Sequence, residues 1–147
     1  MLFRSFAPQE ELRAHLLKSH ILAYPNIWPE TSCRVLIESM SAGLMCVHPN
    51  FAALSDTSGG MTTMYQFNQD LNKHANVFYQ YLDHAIRSVH QEEMQNYLSF
   101  VKMYADTRFN LEKISGQWKY LLEELLRQYP DEASRSFPKP QFIYRTS

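Results

Sequence analysis

Pro29-Glu30-Thr31-Ser32-Cys33-Arg34-Val35-Leu36-Ile37-Glu38-Ser39-Met40-Ser41-Ala42-Gly43 is the stretch that decides how this chain folds. Thr31-Ser32 is a small polar pair of the kind that opens a helix. Val35, Leu36 and Met40 follow as an apolar stripe, and Gly43 stands where the helix should stop. The helix is expected from Ser32 to about Ala42. On either side lie the apolar runs His20–Tyr24 and Leu44–His48. Neither alternates with polar residues, which fits strands covered on both faces, as in a parallel sheet. Pro25 ends the first run and Pro49-Asn50 the second. The loop Pro25–Pro29 is bracketed by two prolines.

Working outward, Leu2–Phe6 reads as a short strand and Pro8 to about Lys18 as a helix. Pro8 suits a first helical turn, Glu10 and Glu11 complement its N-terminal end, and Leu12, His15, Leu16 and Leu17 keep helical spacing. Strand, helix, strand, helix, strand within about 50 residues is a βαβαβ pattern and argues for a parallel sheet with right-handed crossovers. Phe51–Thr57 reads as a short helical turn, Ser58–Gly60 as a loop and Met61–Phe67 as a short extended piece. Three helices follow, from Asn68 to about Val89, His90 to about Tyr104 and Asn110 to about Tyr129. Asn110 is the expected N-cap of the last, and Pro130, Pro138 and Pro140 end the regular structure. The organisation is therefore a sheet-forming segment over 1–60, a helical part of the same domain over 61–130 and a tail over 131–147.

The length of 147 residues suits one domain with a sizeable core, and 45% hydrophobic content fits a folded chain. A formal net charge of −1 gives no basic excess for nucleic acid. No apolar run is long enough to span a bilayer, and Met1–Phe6 lacks a signal-peptide core, so a cytoplasmic chain is expected. Cys33 and Cys46 read as reduced thiols rather than a disulfide framework.

In open parallel sheets, ligands sit beyond the carboxyl ends of the strands, where helices begin. A helix N-terminus offers unpaired N–H groups and partial positive charge, which favour phosphate. Ser32 adds a hydroxyl, and neither Arg34 nor Val35 can act as a capping-box partner. Glu30 lies at the lip of this site and Glu38 about two turns along the helix. Carboxylates accept hydrogen bonds only, so two of them flanking a phosphate site suit the hydroxyls of two sugar-like groups, the geometry a nucleotide sugar needs. The plainer reading is that both are solvated glutamates. A Cys33 nucleophile, activated by the helix end, lacks a nearby histidine base, and an inert thiol is the simpler reading. His74 and His84, ten apart on one helix, do not share a face, and no zinc set emerges. Tyr24, Trp28 and Tyr65 read as core more readily than as base-stacking platforms.

Glu30 and Glu38 form a Glu-x7-Glu motif. Together with Glu30–Cys33, Ile37-Glu38, Ala42-Gly43 and Ala53–Thr57, it resembles the C-terminal, donor-binding domain of retaining glycosyltransferases of the two-Rossmann-domain (GT-B) type, family 4-like. Pro8–Lys18, Ala23–Pro25 and Lys113–Trp118 are also similar to that family, so the likeness spans roughly Phe3 to Leu126. It implies an α/β fold, a Rossmann-like partial parallel sheet followed by a helical C-terminal part. It implies a hexosyltransferase that uses a nucleotide sugar without metal or other cofactor. Glu30 would bind hydroxyls of the transferred sugar, as the catalytic carboxylate. Thr31, Ser32 and Cys33 with the helix end would hold the diphosphate, Glu38 the ribose, and the region of Ser5-Phe6 would lie near the base. This chain has Thr31-Ser32-Cys33 where many relatives have a Gly-rich turn, and Asp56 where Glu is common. The family's basic pair and its acceptor-binding N-terminal domain would lie upstream. The chain thus reads as the end of a longer enzyme, a split gene product or a remnant that binds donor weakly alone. Its expected partners are that missing domain, a nucleotide sugar and a second copy of itself. A non-catalytic interaction or regulatory module on the same fold is the alternative.

Overall fold

The computed structural model describes residues 8–128. The expected strand Leu2–Phe6, the Ser5-Phe6 region and the tail over 131–147 lie outside these residues. The chain divides into two units, Met1–Asn110 and Leu111–Ser147.

The first unit is α/β. Its elements run α1 (Gln9–Leu16), β1 (Ile21–Ala23), α2 (Arg34–Ser41), β2 (Met45–Asn50), α3 (Leu54–Ser58), β3 (Thr63–Gln66), α4 (Leu71–Ser88) and α5 (Glu92–Arg108). Among the described residues, the three strands form one parallel sheet in the order β1-β2-β3. Ile21 pairs with Met45 and Ala23 with Val47, while Val47 also faces Thr63 and Asn50 faces Gln66. This is the small parallel sheet that the apolar runs required.

β2 is central, and its residues explain why. Met45 to Pro49 are all buried. Their side chains alternate between two cores, as a period of two demands. Leu44 and Cys46 join Leu16, Leu36, Met40, Leu54, Val101 and Ala105 on one face. Met45 and Val47 join Tyr65, Ala85, Val89 and Leu98 on the other. The first core is covered by α1, α2, α3 and part of α5, the second mainly by α4. A strand packed on both faces has no room for polar alternation.

α2 follows from its own spacing. Leu36 and Met40, four apart, are both completely buried, so they lie one above the other on the sheet-facing side. The helix stops where Gly43 takes a φ of 80°, a left-handed conformation that glycine enters without a Cβ penalty. α4 begins at Leu71 rather than at the expected Asn68, because Asp70 rather than a more upstream residue caps it. Its side chain accepts from the Asn72 and Lys73 amides.

The second unit contains α6 (Leu111–Gln128). Ile114, Trp118, Leu121, Leu122 and Leu125 recur at helical spacing, and Lys119 pairs with Glu123 one turn on at 3.9 Å. No helix among the described residues is long and apolar enough to cross a membrane.

Candidate site at the carboxyl end of the first strand

The candidate residues begin where β1 ends. Tyr24 continues the ladder, its amide donating to the Val47 carbonyl at 2.9 Å. Pro25 then stops the strand because it has no amide to donate. The loop that follows is ordered by Asn26, whose amide nitrogen donates to the Trp28 carbonyl at 2.6 Å and whose oxygen accepts from the Trp28 amide at 2.9 Å. Trp28 is thereby held 72% exposed and is not a core residue. Tyr65, by contrast, is fully buried core.

Glu30 is half-buried and fixed at two points. Its backbone carbonyl accepts from the Ala53 amide at 3.1 Å, tying the β1–α2 loop to the β2–α3 loop. Its Oε1 accepts from the Tyr24 hydroxyl at 2.7 Å. Among the described residues, Oε2 has no hydrogen-bond partner. Glu30 therefore lies beyond the carboxyl ends of two parallel strands, where such sheets place their ligands.

Thr31 and Ser32 are exposed, and Cys33 is the cap residue of α2, with φ −92° and ψ 95°. No side-chain hydrogen bond caps this helix. Cys33 is 2% exposed. Burial pushes its thiol above the ordinary value. The Leu36 and Val35 amides and the Tyr24 hydroxyl pull the other way and are outweighed, and the Glu30 charge adds to the rise. Burial and the hydrogen bond to Glu30 likewise raise Tyr24, which keeps its hydroxyl a donor. Cys46, deeper in the same core, is pushed up to about 12 by burial. Desolvation thus overrides the lowering effect of a helix N-terminus on the thiol.

Glu38 lies elsewhere. Its Oε1 accepts from Gln9 Nε2 at 2.8 Å and from Arg34 Nε at 3.0 Å. It lines a cavity of about 590 Å³ between α1, α2 and α5, together with Arg13, Leu16, Ser41, Lys102 and Asp106. Glu30, Thr31, Ser32 and Cys33 are not in that lining. The structure brings Tyr24, Glu30 and Cys33 together, and turns Glu38 toward α1.

Sequence reasoning did not find Tyr24 as the partner of Glu30, nor Gln9 as that of Glu38. An i, i+4 spacing made the Arg34–Glu38 pair legible; the Gln9 contact spans 29 positions and left no local signal. Among the described residues, no group of three or more His, Cys, Asp or Glu side chains is placed to hold a metal ion.

Fold and site together define an α/β chain with a parallel sheet and a carboxylate at the strand ends. Comparison with protein-family models, curated proteins and solved structures gives no match to this chain.

Proposed function

We propose that this chain is the nucleotide-sugar-binding portion of a retaining GT-B glycosyltransferase, transferring a hexosyl group to an acceptor when completed by an N-terminal domain. The observation that carries the reading is Glu30, a half-buried carboxylate with one oxygen unpartnered, beyond the ends of parallel strands and directly before the uncapped start of α2. Glu30 accepts hydrogen bonds from hydroxyls of the transferred sugar. The backbone at Thr31, Ser32 and Cys33, with the helix dipole, meets the diphosphate. Charge builds on that diphosphate as the glycosidic bond breaks, and fixed donors aimed at developing charge are a large catalytic term. Glu38 accepts from the ribose hydroxyls after exchanging its contact with Gln9 or Arg34. The acceptor, and basic groups that neutralise the diphosphate, belong to the completing domain.

A second reading, a non-catalytic module on the same fold, draws support from Glu38, whose Oε1 is already filled by Gln9 and Arg34. Ligand-observed NMR with UDP, GDP and their hexose conjugates separates the two. In the first reading nucleotides bind at millimolar concentration or better, and Glu38→Ala weakens them about tenfold, as loss of one or two hydrogen bonds to a charged group predicts. Nucleotide binding that Glu38→Ala leaves intact favours the second reading. Absence of binding at millimolar nucleotide removes the donor site from the chain.

A further inference from the structure

The Tyr24–Glu30 contact has a geometry that packing alone does not require. Tyr24 is anchored through its amide to the central strand at Val47, and Glu30 through its carbonyl to Ala53. Both ends of the 2.7 Å hydrogen bond are therefore fixed, one to the central strand and the other to the loop that follows it. Pro25 and Pro29 restrict the backbone between them, and Asn26 closes the intervening turn on Trp28. A carboxylate on such a frame has one oxygen pinned and one unpartnered.

From this arrangement we infer that Tyr24 is a positioning residue for the sugar of the donor, holding Glu30 Oε1 so that Oε2 is the oxygen that accepts from a sugar hydroxyl. The inference rests on the donor-site reading and assigns within it a role to a residue outside the Glu-x7-Glu motif. A free glutamate loses rotamer freedom when it grips a ligand, and Tyr24 removes that cost beforehand. The raised Tyr24 value keeps the hydroxyl protonated as the donor that this role needs. The Tyr24 hydroxyl donates to Glu30 and also meets the buried Cys33 thiol; of these two, Glu30 is the sugar-binding group, so the loss on removing the hydroxyl falls mainly on the sugar and not on the nucleotide.

The test uses the whole chain and compares four variants: the parent, Tyr24→Phe, Glu30→Gln and the double variant. UDP, GDP, UDP-glucose and GDP-mannose are titrated by ligand-observed NMR, and thermal unfolding is recorded for each. Expected is a roughly five- to tenfold loss of affinity for one of the hexose conjugates in Tyr24→Phe, the size of one hydrogen bond. The matching free nucleotide should bind unchanged within about twofold. The double variant should lose no more than Glu30→Gln alone, since the two residues act as one unit. Equal losses for nucleotide and nucleotide sugar would mean a merely structural Tyr24 and would overturn the inference, as would additive losses in the double variant. Should Tyr24→Phe unfold, Glu30→Gln still decides: a loss confined to the hexose conjugate supports Glu30 as the sugar-binding carboxylate that Tyr24 positions, and no change overturns it. Failure of all four ligands to bind the parent chain is distinct, because it removes the donor site itself.

Discussion

Thr62 Oγ1 lies 2.6 Å from Nε2 of His48, a residue with no exposed surface in the central strand. The Pro49 carbonyl lies 3.0 Å from the other ring nitrogen, Nδ1. A carbonyl only accepts, so Nδ1 carries the proton and Nε2 accepts from the Thr62 hydroxyl. The ring is neutral and satisfied on both sides.

This arrangement predicts a pH dependence of stability. Burial pushes His48 below its ordinary value of 6.5, and the Pro49 hydrogen bond opposes it only in part. A depressed base binds fewer protons folded than unfolded. Its contribution is therefore fully present above about pH 6.5 and is lost as the pH falls through the lowered folded value. Thermal unfolding at about pH 7 and about pH 5 should show a fall in midpoint that is smaller in His48→Gln. An unchanged fall in that variant would assign the effect to other groups.

Ala52 adopts a φ of 50°, the left-handed region that a Cβ disfavours. It sits in the β2–α3 loop and is exposed, so it makes no packing contribution to offset the strain. Ala52→Gly should raise stability by about 1 kcal/mol, the strain relieved exceeding the entropy that glycine adds to the unfolded chain. Chemical denaturation reads this directly as a higher midpoint at constant slope.

Two glycines should respond unequally to alanine. Gly43 has a φ of 80° and open space where a Cβ would stand. Gly59 has a φ of 61°, and a Cβ there would collide with the Tyr104 hydroxyl. Gly43→Ala should cost about 1 kcal/mol, from backbone strain alone. Gly59→Ala adds a clash and should cost about 1–3 kcal/mol more. Equal losses in denaturant unfolding would show that Tyr104 moves aside freely.

Lys102 links α5 to the end of α2. Its Nζ donates to the Ser41 carbonyl and to Asp106 Oδ2 at 2.9 Å, while the Ser41 hydroxyl donates to Asp106 Oδ1. Burial alone would raise Asp106, but the Lys102 and Ser41 hydrogen bonds, with the Lys102 charge, hold it below its usual range. The stabilisation is present above the unfolded value of 3.8 and is lost as the pH falls below it. Both side chains are about half exposed, so Asp106→Asn should cost no more than about 1 kcal/mol at neutral pH, and less in high salt.

The parts of this fold written into short stretches were legible in the sequence. Leu44–His48 announced a strand buried on both faces, and Gly43 announced the end of α2. β3 was far less legible. Thr63-Met64-Tyr65-Gln66 is a strand because it pairs with Val47 to Asn50, a contact between segments that propensity cannot register. α5 runs to Arg108, four residues past the expected end, helped by the Lys102–Asp106 pair in its last turns. At the candidate site, the proline-bounded loop and the polar residues before α2 were local signals and placed Glu30 at a strand end. Its hydroxyl partner Tyr24 was visible only as an aromatic beside a proline. The orientation of Glu38 toward Gln9 depended on how α1 packs on α2.

Cys33 offers a last test, because two physical effects on it oppose one another. Its place at the start of α2 would lower the thiol pKa and make it reactive. Its burial, at 2% exposure, does the reverse, and the structure has burial winning. Cys46 is also 2% exposed and carries no helix-end effect. The two thiols should therefore behave alike. Neither should react with iodoacetamide or a disulfide reagent at neutral pH in the folded chain, and both should react in denaturant. Native labelling should proceed only through opening of the core that both share, so stabilising substitutions should slow the two rates together. Rapid native labelling of Cys33 with Cys46 protected would instead reveal a thiolate stabilised by the helix end, and would restore Cys33 as a candidate nucleophile beside Glu30.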